Sequence, residues 1–422
     1  MPPIADPRAF LESLFHTAVA AADPDKVLAG CLPGKPKGRT VVIGAGKGAA
    51  QMARAFERLW DGPLSGVVVT RYGYAVPCER IEILEAAHPV PDENGLAASA
   101  KLMAAVAGLT GDDLVVALIC GGGSALLPAP AGDLTLTDEI AVSKALLSSG
   151  APIDAMNAVR KQVSRIKGGR LAALAHPARV VSLVVSDIPG DNLALVASGP
   201  TIPDTSTAAD ALRIIDRYRL DLPEAVISHI RDGQDRPPSP TDPRFAGNEV
   251  TLVASAAVSL EAAARAVRAA GIEAVILSDA IEGEAVEIGR MHAALAAEIA
   301  RRDRPFRKPV VLLSGGETTV TIRGNGKGGR NGEFLLSFAR GIAGLNGVSA
   351  LAADTDGIDG SEDNAGAFVD ATTIERLLSR QIDAADRLAN NDSWSAFQAL
   401  GDLFVPGPTG TNVNDFRAIL IQ

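Results

Sequence analysis

Apolar residues recur at helical spacing over 8–22, where Phe10, Leu11, Leu14, Phe15 and Val19 share a face. A polar loop with Pro33, Gly34, Pro36 and Gly38 follows. Thr40-Val41-Val42-Ile43 is then a short apolar run that ends in glycines. The alternation continues, with helices expected at 49–60, 94–108, 137–148 and 152–175 and buried strands at 67–69, 81–86, 114–119 and 179–185. Buried apolar strands separated by helices predict βαβ units and a mostly parallel sheet. Residues 232–243 interrupt this pattern with prolines at 237, 238, 240 and 243 in a polar run, so a domain boundary is expected there. Beyond it, strands are expected at 250–254, 274–277, 310–313, 318–323, 348–352 and 416–421, and helices at 257–270, 283–302, 333–343 and 372–380. The chain reads as two α/β domains, 1–240 and 241–422.

Composition narrows the function. Hydrophobic residues make up 47% of the 422, enough for large cores. A net charge of −10 argues against a general nucleic-acid binder, whose affinity rests on neutralising phosphates. A small anionic ligand stays open, because the field inside a cleft is local and several basic residues sit in glycine-rich segments. Cys31, Cys78 and Cys120 form neither a CxxC pair nor a zinc spacing, which suits a reduced compartment. The first 15 residues lack the pattern of a signal peptide, and no apolar stretch is long enough to span a membrane. A cytoplasmic protein is expected, and a homo-oligomer is compatible with the sequence.

The candidate chemistry lies in loops. Gly44-Ala45-Gly46-Lys47-Gly48-Ala49 joins a strand to a helix and satisfies the dinucleotide pattern through Gly44, Gly46 and Ala49. The acid expected about 20 residues on, to hold a ribose, is missing; the next strand ends in Thr70-Arg71. Lys47 suits a phosphate ligand, although the spacing is not that of a Walker loop. Gly121, Gly122 and Gly123 follow a buried strand and can curl their amides round an anion, with Ser124 adding a hydroxyl or an N-cap. Leu126 rules out a serine-hydrolase elbow. Asn157, Lys161 and Ser164 share one helix face, with Arg160 and Arg165 nearby, which reads as a ligand stripe or a solvated basic face. His88, in HPVPD, reads as a turn residue.

Asp187 ends a buried strand at the sheet edge where open α/β folds take ligands, and one carboxylate there suits a magnesium ion that keeps most of its waters. Turn and capping chemistry is the alternative. Residues 314–334, SGGETTVTIRGNGKGGRNGEF, place Glu317 after paired glycines, and Lys327, Arg330 and Asn331 among further glycines at a helix start. That combination reads as an anion site. Asp354 and Asp356 follow an apolar strand and suit Mg2+ or proton acceptance, with spacing unlike an EF-hand.

Together, GAGKGAAQMA at 44–53, HPVPDENG at 88–95, CGGGSALL at 120–127, NAVRKQVSRIKGGRLA at 157–172, SDIPGDNLALVASGPTIPD at 186–204, SGGETTVTIRGNGKGGRNGE at 314–333 and TDGIDGSEDNAGAFVD at 355–370 resemble the glycerate 2-kinase family over nearly the whole chain. The resemblance implies a Rossmann-like N-terminal domain, a smaller C-terminal α/β domain and an active site in the cleft between them. It implies phosphorylation of (R)-glycerate at the 2-hydroxyl by ATP with Mg2+, giving 2-phospho-(R)-glycerate. It also implies that Lys47 and Arg330 are active-site residues. Alanine at either position is then expected to remove turnover and leave the fold. Relatives of that family also bear the label hydroxypyruvate reductase, and an NAD(P)H-dependent reductase is the alternative. Which acid among Asp187, Asp354 and Asp356 holds the metal is open.

Overall fold

The computed structural model describes residues 3–233 and 235–422. The chain divides into two compact units. One is Pro24–Val253, and the other joins residues up to Asp23 with Ala254–Gln422. This differs from a boundary at 240/241 at both ends. Helical periodicity shows that Leu11, Leu14, Phe15 and Ala18 are an apolar face but cannot show what covers it. They pack on Leu260, Ala263 and Val267 of the helix Ala256–Ala269. The first helix, Pro7–Ala20, therefore belongs to the core of the C-terminal unit. The proline-rich stretch does not divide the units, because the strand after it completes the first sheet.

The first unit holds strands β1 (Thr40–Ala45), β2 (Ser65–Arg71), β3 (Ile81–Ala86), β4 (Leu114–Cys120), β5 (Arg179–Val185) and β6 (Glu249–Ala254) in the order β3-β2-β1-β4-β5-β6. The pairs among β1 to β5 are all parallel. Every residue of β1 and β4 is buried, as their unbroken apolar runs require of strands covered on both faces. The chain leaves β1 toward β2 and β3, then returns to β4 on the other side of β1. That reversal opens a crevice beyond the carboxyl ends of β1 and β4, the place where doubly wound sheets bind ligands. The helix expected at 152–175 is two helices, Ile153–Gln162 and Arg170–Ala175. Gly168 and Gly169, at φ of 62° and 83°, end the intervening loop, where apolar periodicity carries on but helical backbone does not.

The second unit holds β7 (Glu273–Glu284), β8 (Val310–Thr319), β9 (Val348–Asp354), β10 (Gly366–Asp370), β11 (Leu403–Phe404) and β12 (Asp415–Ile421), in the order β11-β10-β9-β12-β8-β7. Only β7 and β8 run parallel among these pairs. The C-terminal strand slots between β8 and β9, which sets Asp415 opposite Gly316 on one side and Asp354 on the other. The strand expected at 318–323 is the end of β8, which stops at Thr319. Among the described residues, no helix is long and apolar enough to cross a membrane.

Candidate active site

In the first unit, the turns after β1 and β4 are stitched together. Lys47 N donates to Gly121 O at 2.9 Å, and Thr70 Oγ1 donates to Lys47 O at 3.2 Å. Gly122 has a φ of 77°, and a Cβ there would meet Lys47 Cγ at 3.0 Å and His88 Nε2 at 3.2 Å. Lys47 and His88 thus close over the glycine turn. A Cβ at Gly121 would sit 1.9 Å from Asp187 Oδ2, so the carboxylate occupies the space that a side chain would take. Ser124 Oγ lies 2.7 Å from Ser198 Oγ, Ser198 Oγ donates to Asn157 Oδ1 at 2.7 Å, and Asn157 Nδ2 donates to Leu195 O at 2.9 Å. Lys47, Gly121, Gly122, Gly123, Ser124, Asn157 and Asp187 therefore share one crevice. Gly46, at φ of 133°, turns the chain into it, while Gly44 lies within β1 against Leu118 O and spaces two strands.

The crevice is electropositive. Burial, then Lys47, Arg71 and Arg160, push His88 down to about 4, so its ring is neutral at pH 7. None of those three cations has a carboxylate partner among the described residues. Arg71 lies over the Tyr74 ring, and Arg160 has one long contact, 3.5 Å to Asn157 Oδ1. Lys161 sits elsewhere: its ammonium is fully buried against Asp204, and burial pushes it down to about 8. The shared helix face thus splits between two environments.

The tight fit at Gly121 yields a prediction. Gly121→Ala is expected to cost about 1–3 kcal/mol by overpacking against Asp187. Gly48→Ala, whose new Cβ meets nothing closer than Cys120 Sγ at 3.6 Å, is expected to be near neutral. Urea denaturation of the pair checks this, and equal midpoints would contradict it.

In the second unit, Arg330 opens the helix Arg330–Ile342. Its Nε donates to Asp415 Oδ1 at 2.7 Å, Nη1 to Glu317 Oε1 at 2.8 Å and Nη2 to Asp354 Oδ2 at 2.7 Å. Asp415 is also held by Arg417 Nη2 at 2.5 Å and Asn331 Nδ2 at 2.8 Å. Burial pushes Asp415 up, but the two guanidiniums outweigh it and hold the carboxyl below its usual range. At Asp354 burial wins over Arg330, with Asp356 adding to the rise. Asp359 caps the helix through the amides of Asn331 at 3.0 Å and Gly332 at 2.8 Å, yet burial raises it to about 6.

Around 324–331 the glycines and Lys327 already have close neighbours within the protein. Added Cβ atoms at Gly326 and Gly329 would fall 2.4 Å from Asp392 Cβ and Asp359 Oδ1, so close packing demands these glycines. Lys327 spends its charge on Glu362, at 3.3 Å, and on the Trp394 ring. Asp354 and Asp356 are likewise engaged within the protein. Asp354 gives its oxygens to Arg330 and to the Asp356 amide, and Asp356 Oδ1 accepts from Ile358 N. Among the described residues no cage of three or more His, Cys, Asp or Glu side chains forms.

Comparisons with known proteins cover most of the chain. Residues 10–231 match the family described as Domain of unknown function (DUF4147), and residues 310–415 match the MOFRL family. D-glycerate 2-kinase of Thermotoga maritima is 40% identical over 406 residues, covering 96% of each chain. The crystal structure of a glycerate kinase from Thermotoga maritima superposes with a TM-score of 0.88 at 38% identity, covering 98% of this chain and 99% of that one. The chain belongs to the glycerate 2-kinase family. A protein of Agrobacterium vitis that bears the provisional name hydroxypyruvate reductase is 53% identical over 417 residues, covering 98% of this chain and 94% of its own.

In this member of the glycerate 2-kinase family, several residues of the two clusters escape sequence reasoning. Asp415 and Arg417 had a usable signal, since they alternate with Phe416 and Ala418 in an apolar strand and are both fully buried. His88, Arg71 and Ser198 stand in segments that sequence reading singles out, but their place in one crevice is not legible there, because the sheet order brings their loops together. Arg160 was visible as one charge among several, without a mark to set it apart from Lys161.

Proposed function

We propose that this protein transfers the γ-phosphoryl group of ATP to the 2-hydroxyl of (R)-glycerate, giving 2-phospho-(R)-glycerate. The observation that carries the reading is the crevice at β1 and β4, where Lys47, Arg71 and Arg160 surround a glycine turn and form no ion pair with a carboxylate among the described residues. Unpaired cations in a partly dry site are costly, and an anionic substrate removes that cost. Kinship with named glycerate kinases supplies the substrate.

Phosphoryl transfer asks mainly for positioning and for charge on the moving group. Lys47 supplies charge to the transferred phosphoryl, and the amides of Gly121, Gly122 and Gly123 hold its oxygens. Asp187, cradled on Gly121, is the carboxylate that best fits Mg2+, because that ion takes one or two carboxylates together with substrate phosphates. When bound, the ion neutralises charge on the phosphates. Neutral His88 is left to hydrogen-bond with substrate. Glu317, with half its side chain exposed against 9% and 0% for Asp354 and Asp415, is the carboxylate of the Arg330 cluster that can touch a ligand. Arg330 holds it in place.

The test supplies ATP, Mg2+ and (R)-glycerate, then enolase without a mutase. Phosphoenolpyruvate is the expected product, since enolase accepts only the 2-phosphate. The relative named as a reductase keeps a second reading in view, and the same protein with NADH and hydroxypyruvate tests it. β2 ends in Thr70 and Arg71, without the acid that binds a ribose, so little NADH should be consumed. Rapid NADH oxidation with no phosphoenolpyruvate would reverse the assignment.

A further inference from the structure

Arg160 is a crevice cation with most of its donors unused among the described residues. It lies on the helix Ile153–Gln162, half-buried, and lines a recess with Pro89, Ser124, Ala125 and Val163. Burial pushes its guanidinium down to about 10, which leaves it charged at pH 7. The nearby carboxylate, Glu139, is not available to it. Glu139 Oε1 accepts from Lys167 Nζ at 2.6 Å, and Oε2 accepts from Ala129 N at 2.9 Å. Lys167 is further tied to Leu127 O at 2.7 Å, so that buried pair is closed on itself. A guanidinium carries five N–H groups, and here one long contact to Asn157 Oδ1 is its only hydrogen bond among the described residues. Its fork matches a carboxylate, which takes two parallel bonds from it.

The surroundings select among anions. Ser124, Ser198 and Asn157 form a chain of hydroxyl and amide groups that ends beside Arg160. Lys47 lies over Gly122, two residues before Ser124 in the same turn. A ligand with a phosphoryl group at the glycine turn and a carboxylate one carbon away from its oxygen would set that carboxylate toward the Ser124 side. We propose that Arg160 binds the carboxylate of the acceptor and makes the protein selective for 2-hydroxy acids over neutral polyols, with Ser124 and Ser198 fixing the carboxylate's orientation. The inference rests on the reading of this crevice as the acceptor site. It assigns to Arg160 substrate recognition, while phosphoryl transfer stays with Lys47.

Arg160→Met keeps the length of the stem and removes the charge, and Arg160→Lys keeps the charge without the fork. Truncating one partner of a buried charged pair is costly, so Arg160→Met is expected to raise KM for (R)-glycerate by about 30-fold or more, with Arg160→Lys intermediate. KM for ATP should change less than about twofold. Wild type should favour glycerate strongly over glyceramide, its uncharged amide, and Arg160→Met should lose most of that preference. Titration calorimetry with glycerate and glyceramide, on wild type and Arg160→Met shown folded by circular dichroism, reads binding without turnover. Loss of glycerate binding alone in the variant supports the inference, even if wild type makes no product and the kinase reading falls. A rise in KM for ATP instead would give Arg160 to the nucleotide. An unchanged preference between glycerate and glyceramide, whether or not kcat falls, would leave Arg160 a structural residue and overturn the inference.

Discussion

Lys47→Ala is expected to lower kcat for glycerate phosphorylation by about 10³-fold or more, the scale seen when a charge-stabilising group is removed from a transferring phosphoryl. It should leave the unfolding midpoint nearly unchanged. The two halves of the prediction come from the same geometry. Lys47 N and O are held by Gly121 and Thr70 through the backbone, which any residue can supply. The Lys47 ammonium has no carboxylate partner among the described residues, so its loss strands no buried charge. It also removes one of the cations that depress His88. The His88 titration, followed by NMR, should therefore move upward from about 4 in the variant, because a departing positive neighbour makes the imidazolium easier to form. A variant that keeps most of its turnover, or a His88 titration that stays put, would take Lys47 out of the crevice chemistry.

The first sheet was legible because its strands are buried on both faces, so their apolar runs and the glycines that end them stand out in one dimension. Lys47, Ser124 and Asp187 follow those runs directly, which is why sequence reasoning finds them. The second sheet was harder. β10 and β11 are short, and β11 has two residues, too few for any periodicity. The C-terminal strand was visible, but its place between β8 and β9 is a matter of long-range pairing. That pairing brings Asp415 to Arg330, so the cluster could not be assembled from loop motifs alone. The glycines near Arg330 are ambiguous in sequence for a related reason. Their count suggested an anion nest, whereas neighbouring backbone from 390–393 and the Asp359 carboxylate press against them. A glycine run signals close approach, and the sequence does not say what approaches.

Arg330→Ala is expected to behave unlike Lys47→Ala, and the structure revises the expectation that both variants fold alike. Arg330 is an internal counter-ion to Asp354 and Asp415, whose side chains are 9% and 0% exposed. Removing one member of a buried ion network leaves the others uncompensated and costs about 3–5 kcal/mol. Arg417 still serves Asp415, so the larger burden falls on Asp354. Burial already raises Asp354, and without Arg330 its folded-state pKa climbs further above the unfolded value of about 3.9. A carboxyl with a raised folded pKa binds its proton more tightly in the folded state. The folded variant is therefore favoured at low pH and loses stability as pH rises through that interval. The deficit relative to wild type should be smaller near pH 5 than near pH 8, measured by urea denaturation at both. Adding Asp354→Asn to Arg330→Ala removes the stranded charge and should recover part of the loss at pH 8 while leaving turnover low, because Glu317 stays unheld. A deficit independent of pH, or no rescue by Asp354→Asn, would mean that Arg330 does not balance buried carboxylates in the folded protein.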